Sequence, residues 1–332
     1  MKALKALVTG APGFIGSHLV PALLDRGFEV RGLAFPGEKT DRLLAQGVDV
    51  RLADITKLGS LEGLCDEIDI VFHLAGRIAY WGAKSLFFDS IVEGTRHMLD
   101  EASGKGIRFV YVSSVCAIGS NRHLKGYTEE DAVHKTGIPY ADAKQEAEKL
   151  VRSYHEKGAV KATIIRPANV IGPGSVWVKD LVENLQNGFV PLFDGGRYSA
   201  SLVYVDNLVD GIIRAGTSDA GIGRTFQFRD DWDVTWKRYL TDLAAVVGKK
   251  PSISLPFRVV WLFAFLMEKT LSQFNIKPPA TRHIVGLMGR DLDIDTRRAR
   301  EELGWRTVVS YAEAMQRIKD WVLADMLPGG GA

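Results

Sequence analysis

The amino-acid sequence predicts an α/β protein with a doubly wound parallel sheet, helices on both faces, and a smaller, mostly helical C-terminal lobe. Through the first half of the chain, short β-branched runs alternate with amphipathic stretches, which is typical of βαβ units in a parallel sheet. A glycine-rich turn joins the first predicted strand to the first predicted helix. From about residue 230 the segments are mostly helical, which predicts a second lobe packed over the edge of the sheet.

The strands and helices of the first half follow one another in a regular order. The runs ALVTG, FEVRGLA, VDVRLAD, DIVFHLAG, IRFVYVSSV and KATIIRPANV are predicted strands, and we expect six or seven parallel strands in all. Gly27, Gly104 and Gly158 each follow a helical pattern, where a residue that tolerates positive φ commonly ends the helix. After Ile171 the regular alternation fades, and ASLVYVDN is the next strand-like run.

The composition limits the classes to which the chain can belong. Its 332 residues are 46% hydrophobic, which is enough for a sizeable core. The 42 basic and 40 acidic side chains leave a formal charge of +2, so we expect no nucleic-acid partner. Cys65 and Cys116 are the only cysteines. We expect both to be free thiols in a reducing, cytoplasmic setting, with no metal site.

No secretory or transmembrane segment is expected. The N-terminal apolar stretch is too short for a signal peptide and runs into the first strand. The most apolar later run, 259–267, is far shorter than the ~20 residues that a spanning helix needs. Two interpretations of the helix predicted at 257–267 stay open. It is either a lid over a pocket or a helix that lies on a membrane surface, with Arg258 and Lys269 at its edges.

The turn TGAPGFIG is the first feature that indicates chemistry. It places Gly10, Gly13 and Gly16 between a strand and a helix. Glycines at this junction let the backbone approach a pyrophosphate, while the helix N-terminus offers free N–H groups and a positive dipole end. The alternative is an ordinary glycine-rich turn. Because the turn stands between a strand and a helix, we interpret it as a dinucleotide-binding site in a Rossmann sheet.

This interpretation divides the chain into domains. Residues 1–172 are expected to form the dinucleotide-binding domain, to which 203–216 return. Residues 173–202 and 217–327 are expected to form a substrate-binding lobe, and 328–332 a disordered tail. Cofactor and substrate would then meet in a cleft between the two lobes.

The residues after the second and third strands bear on the choice of dinucleotide. The acid that holds the ribose of NAD usually closes the second strand, but Ala34 and Phe35 stand there. Lys39 and Arg42 follow and are candidates for the extra phosphate of NADP; as an alternative they are solvated loop charges. Asp54 closes the third strand, where it either meets the adenine or caps the segment that follows. NADP is weakly favoured over NAD.

A tyrosine and a lysine four residues apart form the candidate catalytic pair. Tyr140 and Lys144 lie in PYADAKQEAE, and this spacing puts both on one helix face. A nearby ammonium favours the phenolate, so we expect Lys144 to bring the pKa of Tyr140 towards the working range. Ser114 ends a strand at the edge where ligands bind and is expected to hold the substrate oxygen. Each feature alone occurs by chance, but their order along the chain indicates an active site.

Taken together, these motifs resemble the extended short-chain dehydrogenase/reductase family of the NAD-dependent epimerase/dehydratase type. TGAPGFIG, DIT, HLAG, YVSS, YADAK, RPANVIGPG and DTRRAREELGW follow the family order. The resemblance implies that Ser114, Tyr140 and Lys144 are a catalytic triad and that Pro167 contacts the nicotinamide. Tyr140 and Lys144 are also expected to contact the cofactor, Lys144 by a hydrogen bond to the nicotinamide ribose. The other cofactor contacts that we expect are Gly10, Gly13, Phe14, Ile15, Gly16, Lys39, Asp54, Ile55, Leu74, Ala75 and Gly76.

One residue departs from the family pattern. The family usually has an asparagine in the helix before the fifth strand, and Ile91 stands in its place. Ile91 has no polar group to relay a proton from Lys144 to solvent. The sequence therefore leaves that proton route open.

The residues expected near the substrate favour a hydrophobic molecule. Nucleotide-sugar members of the family carry an Arg-Asp-Phe sequence where this chain has Ala200, Ser201 and Leu202, and alanine cannot clamp a diphosphate. Arg197 keeps the sugar interpretation open. The later segments resemble the branch of 3-beta-hydroxysteroid dehydrogenase-like enzymes and beta-keto-acid reductases. The residues expected to line the substrate pocket are Tyr80, Trp81, Ser114 and Asn169, although Trp81, Trp261 and Phe263 are equally well explained as core.

The sequence therefore predicts an NAD(P)-dependent dehydrogenase or reductase that interconverts a secondary alcohol and a ketone on a steroid-like, fatty-acyl-like or aromatic substrate. The alternative is a sugar-nucleotide epimerase or dehydratase with bound NAD. A dinucleotide-sensing regulator is disfavoured, because it has no use for Tyr140 and Lys144 in this arrangement. A homodimer is common among similar enzymes, and peripheral membrane contact stays open.

Overall fold

The computed structural model describes residues 3–79, 81–119, 122–188, 190–250, 253–271, 274 and 276–327. Seven strands form one sheet in which all neighbours are parallel. These strands are β1 (Lys5–Thr9), β2 (Glu29–Ala34), β3 (Asp49–Leu52), β4 (Ile70–His73), β5 (Arg108–Val112), β7 (Lys161–Pro167) and β11 (Thr225–Phe228). Their spatial order is β11-β7-β5-β4-β1-β2-β3. The predicted doubly wound parallel sheet is thus confirmed.

Helices connect and cover the strands in the predicted order. The described α-helices are α1 (Phe14–Leu24), α2 (Asp41–Ala45), α3 (Lys84–Phe87), α4 (Gly94–Ala102), α5 (Pro139–Glu156), α6 (Val176–Gln186), α7 (Val205–Thr217), α8 (Trp236–Val246), α9 (Phe257–Leu271), α10 (Arg282–Met288), α11 (Arg297–Leu303) and α12 (Tyr311–Trp321). Gly27, Gly104 and Gly158 follow helical segments with φ between 72° and 79°, as the sequence predicts.

Both faces of the sheet are buried, as expected for parallel strands. Along β1, Ala6 and Val8 join one hydrophobic cluster while Leu7 joins the other. All three side chains are fully buried. The alternation follows from the two-residue period of a strand, so the sheet separates two layers of core.

The later segments add short pairs of strands around the central sheet. They are β8 (Asn169–Ile171) with β10 (Leu202–Tyr204), β9 (Leu192–Phe193) with β12 (Ser254–Leu255), and β6 (Leu124–Tyr127) with β13 (Leu292–Ile294). The strand β11 lies in the central sheet next to β7, although the sequence assigned it to the later lobe. Its parallel pairing with β7 extends the sheet past the expected boundary. The division into two lobes is otherwise still a prediction.

The cysteines and the lengths of the helices bear on expectations from the sequence. Cys65 and Cys116 are free thiols, and both are buried. Of the helices in the described part of the chain, none combines the length and the apolar character needed to cross a bilayer. The tail 328–332 lies outside the described residues.

Candidate active site

A crevice of about 670 Å³ lies at the carboxyl ends of the central strands. In the sheet order, β1 and β4 are neighbours from which the chain winds in opposite directions, and open α/β sheets bind ligands at such a switch point. Most of the residues that the sequence singled out line this crevice. They are Gly10, Gly13, Phe14, Ile15, Gly16, Asp54, Ile55, Leu74, Ala75, Gly76, Ser114, Tyr140, Lys144, Pro167 and Asn169.

The glycine turn after β1 needs its glycines for two physical reasons. Gly10 has a φ of +68°, which favours a residue without a side chain. A Cβ atom on Gly16 would lie 2.4 Å from the Gly10 carbonyl oxygen, so helix α1 could not approach the turn. Gly13 is the N-cap residue of α1, and no side chain caps the helix there. The N–H groups of the first turn therefore face the crevice without a side-chain partner at the cap.

A turn after β2 brings an acidic group to the crevice that the sequence did not predict. The amide of Glu38 donates to the Phe35 carbonyl, which closes the turn Phe35-Pro36-Gly37-Glu38. The Phe35 amide in turn donates to the Glu38 carboxylate at 2.8 Å. Glu38 and Phe35 line the crevice. A proline followed by a glycine with a φ of +96° is a recognisable turn signal that could have located this carboxylate.

The basic residues that favoured NADP lie elsewhere. Lys39 and Arg42 are exposed, and neither belongs to the crevice lining. The turn directs Glu38 rather than Lys39 towards the crevice, and a contact of Lys39 with the cofactor stays a prediction. Asp54 does line the crevice, and its carboxylate also accepts hydrogen bonds from the amide and hydroxyl of Thr56 at 3.0 and 2.8 Å.

A buried hydrogen-bonded chain supports the floor of the crevice between β1 and β4. The Thr9 hydroxyl accepts from the amides of Leu74 and Ala75 at 3.1 and 3.0 Å. His73 bonds Thr9 through Nδ1 at 2.8 Å and Thr95 through Nε2 at 3.1 Å. Complete burial, with a smaller effect of the Lys144 charge, lowers the pKa of His73 to about 3. A neutral imidazole that accepts from Thr9 and donates to Thr95 satisfies both bonds.

Ser114, Tyr140 and Lys144 converge at the centre of the crevice. Ser114 follows β5, and its hydroxyl accepts from the Cys116 amide at 3.2 Å. Tyr140 and Lys144 lie one turn apart near the start of α5. The Ser114 side chain is close enough to the Tyr140 phenol to act on its pKa. The ammonium of Lys144 donates to the Val112 carbonyl at 2.8 Å, so α5 is fixed to the end of β5.

The ionisation of Tyr140 differs from the expectation. Its phenol end is enclosed, although the residue as a whole is half-buried. This burial and the neighbouring Cys116 raise the pKa of Tyr140, which the hydrogen bond to Ser114 only partly offsets. Lys144 is not among the groups that shift the pKa of Tyr140, and its ammonium donates to the Val112 carbonyl. Burial also lowers the pKa of Lys144 to about 8, opposed by the negative charge of Glu148.

A second cavity of about 330 Å³ also has Tyr140 in its wall. Its walls combine aromatic and charged side chains. The aromatic and charged residues of this wall include Trp81, Phe87, Tyr140, Phe265, Glu268, Lys269, Arg282 and His283. The rings of His283 and Tyr140 are 5.7 Å apart between centroids. His283 was not recognised in the sequence because it carries no motif and lies far from Tyr140 along the chain.

The other residues considered for the substrate pocket do not all lie in one cavity. Trp81 lines the cavity, whereas Tyr80 lies outside the described residues. Trp261 stacks on Phe257 at 5.6 Å and Phe263 is exposed; neither lines a cavity described above. Asn169 lines the crevice, but its amide group donates to the Ala200 carbonyl at 2.8 Å.

Known proteins resemble this chain in sequence. The model of the NAD dependent epimerase/dehydratase family matches residues 6–227. A ketoreductase of Stigmatella aurantiaca, which is named for 4-hydroxy-2-methyl-3-oxo-4-farnesyl-3,4-dihydroquinoline-1-oxide, is 26% identical over 95% of this chain and 96% of its own length.

Solved structures of epimerases share the fold. UDP-glucose 4-epimerase of Thermotoga maritima, solved with UDP-glucose, superposes with a TM-score of 0.79 at 23% identity over 97% of this chain and 100% of its own. UDP-glucuronic acid 4-epimerase of Bacillus cereus, solved with UDP-glucuronic acid and NAD, gives 0.75 at 22% identity over 97% and 99%. At these identities the likeness concerns the fold.

Proposed function

This chain belongs to the NAD-dependent epimerase/dehydratase family, and on that basis we propose that it is an oxidoreductase that interconverts a ketone and a secondary alcohol on a hydrophobic substrate. One observation carries the proposal. Ser114, Tyr140 and Lys144 line the same crevice as the glycine turn. A phenol, a hydroxyl and an ammonium are thereby gathered beside a surface suited to a dinucleotide.

The residues present fit a nicotinamide dinucleotide. The backbone around Gly10 and Gly16 leaves no room for a side chain, and the uncapped start of α1 offers N–H groups to a pyrophosphate. Bound there, the cofactor would supply or accept the hydride. Pro167 and the residues after β4 would flank its nicotinamide half, and the residues after β2 its adenosine half.

Glu38 supports NAD over NADP as the cofactor. In Rossmann sheets an acid near the end of the second strand holds the ribose hydroxyls of NAD and repels a 2′-phosphate. The turn after β2 brings the Glu38 carboxylate to this position. Lys39 and Arg42, which favoured NADP in the sequence, do not line the crevice.

The proton step follows from the ionisation of the site. During ketone reduction Tyr140 donates its phenolic proton to the carbonyl oxygen as the carbonyl carbon gains the hydride, and a secondary alcohol results. The burial that raises the pKa of Tyr140 keeps the phenol protonated and ready to donate. The Ser114 hydroxyl hydrogen-bonds the same oxygen. The positive charge of Lys144, one turn along α5, would stabilise the phenolate that remains once its ammonium leaves the Val112 carbonyl.

Two observations support a hydrophobic ketone rather than a sugar nucleotide. Arg197, the remaining candidate for a diphosphate clamp, donates to the Tyr198 hydroxyl at 3.0 Å and lines neither cavity. Trp81 and Phe87 form an aromatic wall beside Tyr140. The name of the Stigmatella relative, a ketoreductase of a farnesylated quinoline, supports the same class.

A substrate panel tests the proposal. Oxidation of NADH and of NADPH is followed with bulky hydrophobic ketones, with small polar ketones and with UDP-sugars. We expect hydrophobic ketones to be reduced with the highest kcat/KM and UDP-sugars to remain unchanged. Conversion of a UDP-sugar without net NADH consumption, by protein that retains NAD through purification, would contradict the proposal and favour a sugar-nucleotide epimerase.

A further inference from the structure

Helix α9 contacts the rest of the protein through one narrow row of side chains. Phe257, Val260 and Ala264 are buried, and their spacing of three and four residues places them on one face. A surface helix normally presents polar side chains on its other face. Here that face is apolar. Its members, which we name the α9 outer face, are Val259, Leu262, Phe263, Phe265 and Leu266, with 41% to 64% of each residue exposed.

Exposed apolar side chains are concentrated around this helix. Of the nineteen large apolar residues exposed in the described part of the chain, eight lie between residues 253 and 276. The others are distributed over the rest of the chain, where single exposed apolar residues are ordinary. A contiguous apolar patch on a water-soluble surface indicates a partner.

The charges around the patch identify the chemistry of that partner. The segment 249–282 contains six basic residues and one acid, Glu268. Glu268 is bonded to Arg282 at 2.6 Å, so the segment has no second acid to balance Lys249, Lys250, Arg258 or Lys269. The chain as a whole is nearly neutral at +2. Within this segment basic side chains outnumber acids, and the nearest acids of other segments are Asp194, which accepts from the Phe257 amide at the start of α9, and Asp180 near Lys277.

We propose that the α9 outer face docks on the surface of an anionic lipid bilayer. Its apolar side chains would enter the boundary between headgroups and acyl chains, as interfacial helices do. Arg258 and Lys269 fall close together around the helix axis, between Phe265 and Leu262, and stand near opposite ends of the helix. Their long side chains can reach the lipid phosphates while their stems stay in apolar surroundings.

A second copy of the chain is a poorer occupant for the same face. In a twofold dimer the same patch is used on both subunits. Arg258 and Lys269 of one copy would then face the same residues of the other, and like charges across an interface are unfavourable. An anionic surface has the complementary charge.

The docking face also borders the proposed substrate site. Phe265, Glu268 and Lys269 of α9 form part of the wall of the cavity beside Tyr140. A lipophilic ketone dissolved in the bilayer would therefore reach Tyr140 beside the docked helix. This route rests on the proposed function, whereas the binding to lipid does not.

Vesicle co-sedimentation with the full chain tests the proposal. The probes are vesicles of phosphatidylcholine alone and of phosphatidylcholine mixed with phosphatidylglycerol. The test variant combines Val259→Gln, Leu262→Gln and Leu266→Gln, none of which lines a cavity described above. The matched control combines Leu44→Gln, Leu58→Gln and Val308→Gln, which are exposed apolar residues elsewhere. Thermal melting and NADH binding verify that both variants fold.

The parent protein should bind the anionic vesicles, and more weakly at high salt, because salt screens the attraction. The α9 variant should lower the bound fraction at least about tenfold, and the control variant should not. A parent that stays in solution with anionic vesicles would overturn the proposal. So would equal binding by the α9 variant, or a change from dimer to monomer in that variant without vesicle binding by the parent. Reduction of a small soluble ketone by the α9 variant reports on the proposed function separately.

Discussion

The Glu148 carboxylate and the Arg166 guanidinium form a buried, two-pronged ion pair. Arg166 donates through Nε at 2.9 Å and through a terminal nitrogen at 2.6 Å. Glu148 lies one turn after Lys144 on α5, and Arg166 precedes Pro167 at the end of β7. Burial acts against the charge, but Arg166 and the Ser113 hydroxyl hold the pKa of Glu148 below its ordinary value. The pair fixes the helix that carries Tyr140 and Lys144 to the sheet.

Breaking this pair should destabilise the protein strongly. Glu148→Gln leaves the buried Arg166 without the carboxylate that bonds it at two points, so we expect a loss of about 3 to 5 kcal/mol in the free energy of unfolding, measured by urea denaturation. The matched control is Glu146→Gln on the same helix, whose partner Lys149 is exposed. Surface pairs contribute at most about 1 kcal/mol. Equal losses in the two variants would contradict the role given to the buried pair.

Gly16→Ala should disrupt the cofactor turn. The added Cβ would lie 2.4 Å from the Gly10 oxygen and 2.7 Å from the Ala11 oxygen, so the turn and the start of α1 must separate. We expect the dissociation constant for NADH to rise at least about tenfold, measured by fluorescence titration. Gly59→Ala is the control, because a Cβ there meets nothing within 4 Å. Unchanged NADH binding in Gly16→Ala would refute the assignment of this turn.

Glu38 should determine the cofactor preference. Glu38→Gln removes a charged acceptor near the adenosine ribose and should raise KM for NADH about tenfold. KM for NADPH should fall or stay constant, because repulsion of the 2′-phosphate is relieved. Lys39→Gln is the neighbouring control and should leave both constants nearly unchanged. A selective rise in KM for NADPH in Lys39→Gln would instead restore the preference for NADP that the sequence suggested.

The pH dependence of ketone reduction should reflect Lys144. With a pKa of about 8, its ammonium is charged below that pH and neutral above it. We propose that this charge stabilises the phenolate of Tyr140 once the ammonium leaves the Val112 carbonyl, so kcat/KM for reduction should fall above about pH 8. Lys144→Arg keeps a positive charge at every accessible pH, so its profile should lose this decline, at a lower activity. If the decline persists unchanged in Lys144→Arg, a titrating group other than Lys144 causes it.

The sequence predicted best those parts of the site whose residues lie close together along the chain. The glycine turn, and the spacing of Tyr140 and Lys144, are local patterns whose geometry follows from a strand-to-helix junction and from one helical turn. The position of Glu38 depends on a turn that folds back on the end of β2, and the acid was expected at the strand end itself. The partner of Lys144 depends on how α5 packs against β5, which no local pattern shows.

Long-range packing explains the remaining differences. The strand β11 joins β7 across a separation of about sixty residues, so its sheet could not be assigned from sequence periodicity. Trp261 and Phe263 belong to the same apolar run, yet Trp261 stacks on Phe257 and Phe263 is exposed. Which side of α9 is covered depends on its neighbours in space.

The most direct test of the account is the loss of the Tyr140 hydroxyl. Tyr140→Phe removes the proton donor and leaves the ring that packs beside Phe87 and His283. Rates of NADH oxidation with a hydrophobic ketone should fall by a factor of about 100 to 10,000. The dissociation constant for NADH, measured on the same preparation, should stay within about threefold of the parent value. A variant that binds NADH and reduces the ketone as fast as the parent would contradict the central claim.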